Sequence, residues 1–365
     1  HGRRRARQLY RCVPADPSLP VFLVPYTKKK PEFGKAPIDL YILFEFVEWI
    51  DKHPVGASTN TLGKVSDLDT TYSYLTHARG LHHPIQKLTR HVFNAIRSCP
   101  GEVDGLEREL ESSLPPAQPN EWGDLITIDP QGATDLDDAL SAVKLPGDNN
   151  GFRVSVCITD PTYWLERLGL WHMMTDKTTT LYLPNAKRPM LPPNLSEGLC
   201  SLQAGKPRAA LILWLWIGQD GAVIESGFLG GSVRIKHNYV YEDASMKSCT
   251  TYAALREATD LAQKADPLLD NILDSHDVVA YWMMKYNVRA AEELSRAELG
   301  IYRAAPAPRV PDAGAGAVRS QLPDDTQRLL RYWGAGAGSY TNWENRAPHG
   351  GIADGTKLYV QATSP

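Results

Sequence analysis

Four carboxylates fall within ten positions in the stretch Thr127-Ile128-Asp129-Pro130-Gln131-Gly132-Ala133-Thr134-Asp135-Leu136-Asp137-Asp138-Ala139, directly after the apolar pair Leu125-Ile126. Carboxylates held a few ångströms apart repel and raise one another's pKa unless a cation is shared among them. Oxygen donors of this kind suit Mg²⁺ or Mn²⁺, whereas zinc would recruit His or Cys. A D-x-D-D run taken alone reads first as an acidic surface turn. A calcium loop of the EF-hand type wants Gly at its sixth position and Glu at its twelfth, and counting from Asp129 gives Thr134 and Leu140. The apolar residues on both sides, Leu125-Ile126 and Ala139-Leu140, set the carboxylates against a core rather than on a solvated tip.

The elements that would carry this cluster follow from the surrounding pattern. Leu125 to Ile128, Arg153 to Thr159 and Ala210 to Ile217 read as short strands, separated by helical and loop segments, which makes an α+β region. Trp214 and Trp216 lie two apart in the apolar run Leu211 to Ile217, so they should project from one face of a buried strand and serve packing. Glu242 to Ala265 and His276 to Arg296 have helical spacing, and a Pro/Ala/Gly tract from Ala304 to Gly316 breaks it. Upstream, Pro20 to Tyr26 and Leu40 to Trp49 are rich in aromatic and β-branched residues, which predicts a small β-domain. Two helices, Asp67 to Leu81 and Pro84 to Ser98, follow it, and the Pro-rich stretch Ser112 to Asn120 marks a boundary.

Composition narrows the classes. With 365 residues, 42% apolar and 22% charged, the chain is of ordinary globular make-up with room for two or three domains. No run approaches the roughly 18 to 20 apolar residues of a membrane span, so no membrane role is expected. A net charge of -3 excludes a general basic coating. Basic residues gather locally at Arg3, Arg4, Arg5, Arg7, Arg11, Lys28, Lys29 and Lys30, and these fit phosphate contact, a solvated arm or the remnant of an organellar targeting segment. The five cysteines include no C-x-x-C pair, so neither a disulfide framework nor zinc is suggested. An intracellular, reducing compartment fits, with mitochondrial, cytoplasmic and nuclear settings all open.

The cluster T-I-D-P-x-x-A-x-D-x-D-D-A resembles the signature of the RNB domain in the RNase II family of exoribonucleases. Further segments resemble the family in order and spacing: Val156 to Thr162, Tyr182-Leu183-Pro184 with Pro189-Met190-Leu191-Pro192, Leu195-Ser196, Leu199-Cys200-Ser201-Leu202, Asn287 in Met283 to Asn287, Gly300 to Arg303, His349 to Ile352 and the terminal Thr363-Ser364-Pro365. The resemblance implies an α+β RNB catalytic domain over residues 121–365, C-terminally incomplete, with a mixed β-sheet surrounded by helices. It also implies a preceding cold-shock-type OB β-barrel with following helices over 20–111, behind a basic arm over 1–19. Tyr41, Phe44, Phe46 and Trp49 are candidate base stackers there, although alternation turns about half of them inward.

By the same resemblance, the reaction is hydrolysis of single-stranded RNA from the 3′ end to nucleoside 5′-monophosphates. The cofactor is Mg²⁺, with Mn²⁺ as the substitute, in a two-metal arrangement. Asp129, Asp135, Asp137 and Asp138 correspond to the metal site. Asp137 and Asp138 are the catalytic pair, and loss of Asp137 is expected to stop chemistry while RNA stays bound. Tyr182 corresponds to a tyrosine that stacks near the 3′-terminal nucleotide. Three departures stand against turnover, one of them the loose match of Ala353 to Tyr359 to the stretch before Thr-Ser-Pro. Ala280-Tyr281-Trp282 occupies the place of a pair of glutamates, and the chain stops at Pro365 before the segment whose arginine contacts the scissile phosphate, so it reads as a piece of a longer or processed protein. The alternative is therefore an inactive RNB-type module that binds RNA or scaffolds a multiprotein ribonucleoprotein complex.

Overall fold

In a computed structural model of the chain, the described residues are 9–25, 38–82, 85–117, 122–146, 151–174, 180–269, 271–305, 338–349, 352 and 357–362. Most of the basic arm, Lys28 to Lys30, Pro84, the Pro/Ala/Gly tract beyond Ala305, Gly350-Gly351 and Thr363-Ser364-Pro365 lie outside them. Two compact units divide the chain, one from residues 1–87 and 174–191, the other from 88–173 and 192–365.

The first unit holds β1 (Leu9–Cys12), β2 (Phe22–Pro25), β3 (Leu40–Glu48), β4 (Val55–Lys64) and helix α1 (Leu68–Ala78). Its strands form a sheet in the order β1-β2-β4-β3, which among the described residues is open, with β1 and β3 at the edges. Register shifts along the β3–β4 pair mark bulges, which bend and twist the ribbon. Asp67 caps α1 by accepting from the Thr70 amide and, at 2.6 Å, from the Thr70 hydroxyl.

In the second unit come α2 (Gln86–Ser98), α3 (Glu102–Ser113), β5 (Leu125–Asp129), β6 (Asp138–Lys144), β7 (Phe152–Thr159) and α4 (Pro161–Arg167). A two-residue pair, β8 (Leu181–Tyr182) and β9 (Lys187–Arg188), belongs to the first unit. The second unit resumes with β10 (Pro207–Ile217), β11 (Val223–Val240), α5 (Thr250–Ala265), α6 (Ser275–Arg296), β12 (Ile301–Ala304) and β13 (Ser339–Asn342). Strands β10-β11-β5-β6-β7 close into a barrel. The seam is β11, whose first half pairs antiparallel with β10 and whose second half pairs parallel with β5.

Alternate residues of the barrel strands enter two different cores. Ile126, Leu140, Val156 and Leu213 pack with Leu255, Val278, Trp282 and Tyr286 of α5 and α6. Their neighbours Leu125, Ala139, Cys157 and Ile212 form a second cluster with Val233 and Ile235. Burial on both faces explains the nearly continuous apolar runs. Trp214 and Trp216 share a face, as their spacing predicts, and both are half-buried; Trp214 meets Trp122 edge-on at 5.8 Å. Facing it is Gly227, where a Cβ would stand 2.9 Å from the indole, so β11 carries glycine at a place where a strand would normally carry a side chain.

The expected strand positions agree with the structure, while the helix expected from Glu242 begins at Thr250. A short 3₁₀ turn over Ala244–Ser248 precedes it, and Glu242 itself has φ 59°. At the other end of the unit, fully buried Asn287 holds the segment 357–362. Its amide donates to the Tyr359 hydroxyl at 2.8 Å and its carbonyl accepts from the Ala362 amide at 2.9 Å. Asn287→Ala strands both groups and is expected to cost about 2–4 kcal/mol in urea unfolding, where a loss within error would show the segment to be held elsewhere.

Candidate active site

The aspartates sit at one rim of the barrel because two strands meet there. β5 ends on Asp129, and β6 begins on Asp138, opposite Ile158 near the end of β7. The loop between them is braced on both sides. Leu136 donates its amide to Ser201 Oγ at 3.3 Å, Ser201 Oγ donates to the Thr134 carbonyl at 2.9 Å, and the Leu202 amide donates to the Leu136 carbonyl at 2.8 Å. On the opposite side the Thr159 amide donates to the Asp137 carbonyl at 2.9 Å. Ser201 follows a wide, π-type turn over Asn194–Leu199, closed by the Cys200 amide on the Leu195 carbonyl. The Leu195-Ser196 and Leu199 to Leu202 segments therefore serve as the buttress of the acidic loop.

A second brace runs through Asn238 of β11. Its amide donates to Thr127 Oγ1 at 3.0 Å and to the Leu202 carbonyl at 2.9 Å, and its carbonyl accepts from the Ala204 amide at 2.8 Å. Thr127 in turn supports Asp129 with its hydroxyl.

The carboxylates feel one another. Burial lifts the Asp138 carboxyl to about 8, and the charges of Asp129 and Asp137 add to that. Asp129 is pushed up to about 6, first by burial and then by Asp135, against the pull of Thr127. Asp135 and Asp138 are half-buried, while Asp137 is exposed. One oxygen of Asp129, Oδ2, is buried and has no hydrogen-bond partner among the described residues. A buried acceptor left open in a set of oxygen donors is what a hard divalent cation would satisfy. Among the described residues, no three acidic, imidazole or thiol side chains stand together in metal-holding positions. The set fits Mg²⁺ or Mn²⁺ by its chemistry and charge, then, rather than as a formed coordination shell.

Tyr241 was not singled out by its sequence, because it lies far along the chain from the acidic loop. Its amide donates to the Asp129 carbonyl at 3.0 Å. Burial, followed by the charges of Asp138 and Asp129, raises the phenol's pKa, so it stays protonated. His276 stacks on the ring with centroids 3.5 Å apart. The start of α6 is joined to this place by Ser275, whose amide and hydroxyl both donate to Glu242 Oε1. No local pattern marked Tyr241, because the strand that ends just before it is itself not legible in the sequence.

Tyr182 belongs to the first unit, on β8, with its ring 76% exposed and Lys187 Nζ 5.7 Å from the ring centre. Such a ring is free to stack on a base. Tyr281 and Trp282, where the resemblance places glutamates, are fully buried, with Trp282 Nε1 donating to Thr259 Oγ1 at 2.8 Å.

The mixed α+β fold of this chain is shared with solved structures. RNase R of Mycoplasma genitalium, solved with ribose-methylated single-stranded RNA, matches with a TM-score of 0.69 at 16% identity over 94% of this chain and 62% of its own. Yeast Ssd1, described as a pseudonuclease, matches with a TM-score of 0.63 at 14% identity over 96% of this chain and 51% of its own. Residues 121–297 match the model of the RNB domain. Exoribonuclease 2 of Cronobacter sakazakii is 38% identical over 124 residues, which are 33% of this chain and 19% of the relative. That of Shigella boydii is 37% identical over 144 residues, 39% of this chain and 21% of the relative. These matches support an RNB-domain exoribonuclease relationship for residues 121–297, just under half of the chain, and the stretch matched is about a fifth of these curated relatives' length.

Proposed function

We propose that this chain is the metal-binding core of a hydrolytic exoribonuclease that shortens single-stranded RNA from its 3′ end and releases nucleoside 5′-monophosphates. The observation that carries the reading is the braced carboxylate cluster with one buried, unpartnered oxygen on Asp129. Asp129, Asp135, Asp137 and Asp138 would hold Mg²⁺ or Mn²⁺, which supplies charge neutralisation at the scissile phosphate and a water activated for attack. The chain's own residues do the rest. The Ser201, Leu202 and Thr159 bonds fix the loop backbone, so a bound cation has only the carboxylate side chains to draw together. Tyr241 offers a neutral hydroxyl beside them, able to donate to and accept from a ribose 2′-hydroxyl. Tyr182 offers a face to a terminal base. The first unit, a bulged β-sheet, is a candidate single-strand-binding surface in its own right.

The second reading, an RNB module without turnover that binds RNA in a larger assembly, is favoured by Tyr281 and Trp282, which are buried where the family resemblance places glutamates. Degradation of a 5′-labelled single-stranded RNA with Mg²⁺ decides between the two. A ladder receding from the 3′ end that EDTA abolishes establishes the first, and RNA bound but never shortened establishes the second. For an active chain, Tyr241→Phe is expected to narrow the ratio of kcat/KM for ribo over 2′-deoxy 3′ ends by about tenfold. An unchanged ratio would remove Tyr241 from sugar recognition.

A further inference from the structure

Away from the aspartates, the second unit has a cavity of about 250 Å³ where the turn after β10 meets α6 and the segment 357–362. Three cations line it, Lys285, Arg289 and Lys357, together with Asp266 and Glu292. Lys285 is 6% exposed, and its Nζ lies 2.5 Å from Asp266 Oδ2, while Lys357 donates to the other oxygen of the same carboxylate. One acid thus serves two ammonium groups. Arg289 donates to Glu292 Oε2 at 2.5 Å and to Ser226 Oγ. Glu292 is the more exposed partner of that pair, so water weakens its hold.

The balance is three positive charges against two negative ones, in a space backed by Val223, Ala265 and Val288. Lys285 is held below the usual lysine range by burial, and the charges of Lys357 and Arg289 push the same way against Asp266. Like charges crowded into a partly dry pocket are relieved by an added anion, and a guanidinium with two ammonium groups around it suits the several oxygens of a tetrahedral phosphate. The volume admits phosphate with a few waters and is small for a whole nucleotide.

We propose that this cavity is a binding site for a phosphate dianion, either free inorganic phosphate or the phosphate end of a phosphomonoester whose remainder stays outside. The bound anion would tie the β10–β11 turn, α6 and the 357–362 segment together. The site is separate from the aspartate cluster and does not depend on the activity proposed for it.

The test is thermal unfolding of the whole chain in EDTA, at constant ionic strength, with inorganic phosphate or adenosine 5′-monophosphate replacing chloride, and with adenosine added to the chloride buffer. Without divalent cations the acidic rim repels phosphate, so a response reads the cationic cavity. Inorganic phosphate is expected to raise the midpoint by roughly 3–5 °C at saturating concentration. Adenosine is expected to do nothing. An equal response to the monophosphate admits phosphomonoesters, and no response to it restricts the site to the free ion. Lys357→Gln and Arg289→Gln are each expected to weaken phosphate about tenfold by calorimetry, which reads affinity even if a variant melts earlier. Phosphate no better than chloride, or binding that survives both substitutions, overturns the assignment.

Discussion

Asp137→Asn is expected to slow 3′-end shortening of single-stranded RNA by about 10²–10⁴-fold while RNA affinity stays within about twofold. The size of the kinetic effect follows from placement. Asp137 is exposed at the rim and its side chain is not part of the core, whereas its carbonyl is fixed by the Thr159 amide. The substitution keeps the backbone bond and the shape, and removes only a charge from a site built on charge. Affinity should not fall, because a carboxylate contributes nothing attractive to a polyanion except through a cation. Single-turnover rates and fluorescence anisotropy on the same preparations separate the two quantities. A variant as fast as the parent would move the chemistry away from Asp137, and a parent that binds without cutting would leave the non-catalytic reading standing.

The largest effect on stability is expected from Glu107→Ala, at about 3–5 kcal/mol in urea unfolding. Within the second unit, helix α3 presents three glutamates that meet three arginines: Glu107 with Arg208, Glu109 with Arg167 and Glu111 with Arg234. Only the first pair is out of water, with Arg208 1% and Glu107 14% exposed. Arg208 also donates Nε to the Ser201 carbonyl at 2.6 Å and Nη1 to the Pro207 carbonyl, but those are neutral acceptors, so removal of Glu107 leaves a buried charge uncompensated. Glu109→Ala and Glu111→Ala remove pairs that are a third or more exposed on both sides and should each cost less than about 1 kcal/mol. Equal losses from all three would mean that the helix, rather than the buried charge, carries the energy. Because Arg208 holds the carbonyl of the residue that buttresses the acidic loop, Glu107→Ala should also lower activity.

The acidic site was legible in sequence because its residues are local: four aspartates after one strand need no tertiary information to be grouped. What was not legible lies at long range. Asn238 and Tyr241 reach the rim through the pairing of β11 with β5, and His276 of α6 through its stack on Tyr241. β11 itself escaped because Gly227, Gly230 and Gly231 interrupt its alternation; at Gly231 a Cβ would fall 2.3 Å from the Pro115 carbonyl oxygen. β6 was hidden because it begins on the aspartates, and α3 because only Leu106 and Leu110 of its residues are buried, among charges. Helices α1, α2 and α6 were read correctly in type because their apolar periodicity is long enough to stand alone.

The double pairing of β11 also sets the order in which the site can come into being. The β10–β11 hairpin joins neighbours in the chain and closes early, whereas the β11–β5 ladder joins segments far apart and must wait for the chain between them to fold. Asp129 lies on one side of that late ladder and Tyr241 just past the other. A partly folded chain, including one still being synthesised, is thus expected to carry all four aspartates without the assembled rim. The bond from the Tyr241 amide to the Asp129 carbonyl lies just past that ladder, and amide exchange at Tyr241 is expected to report when it closes.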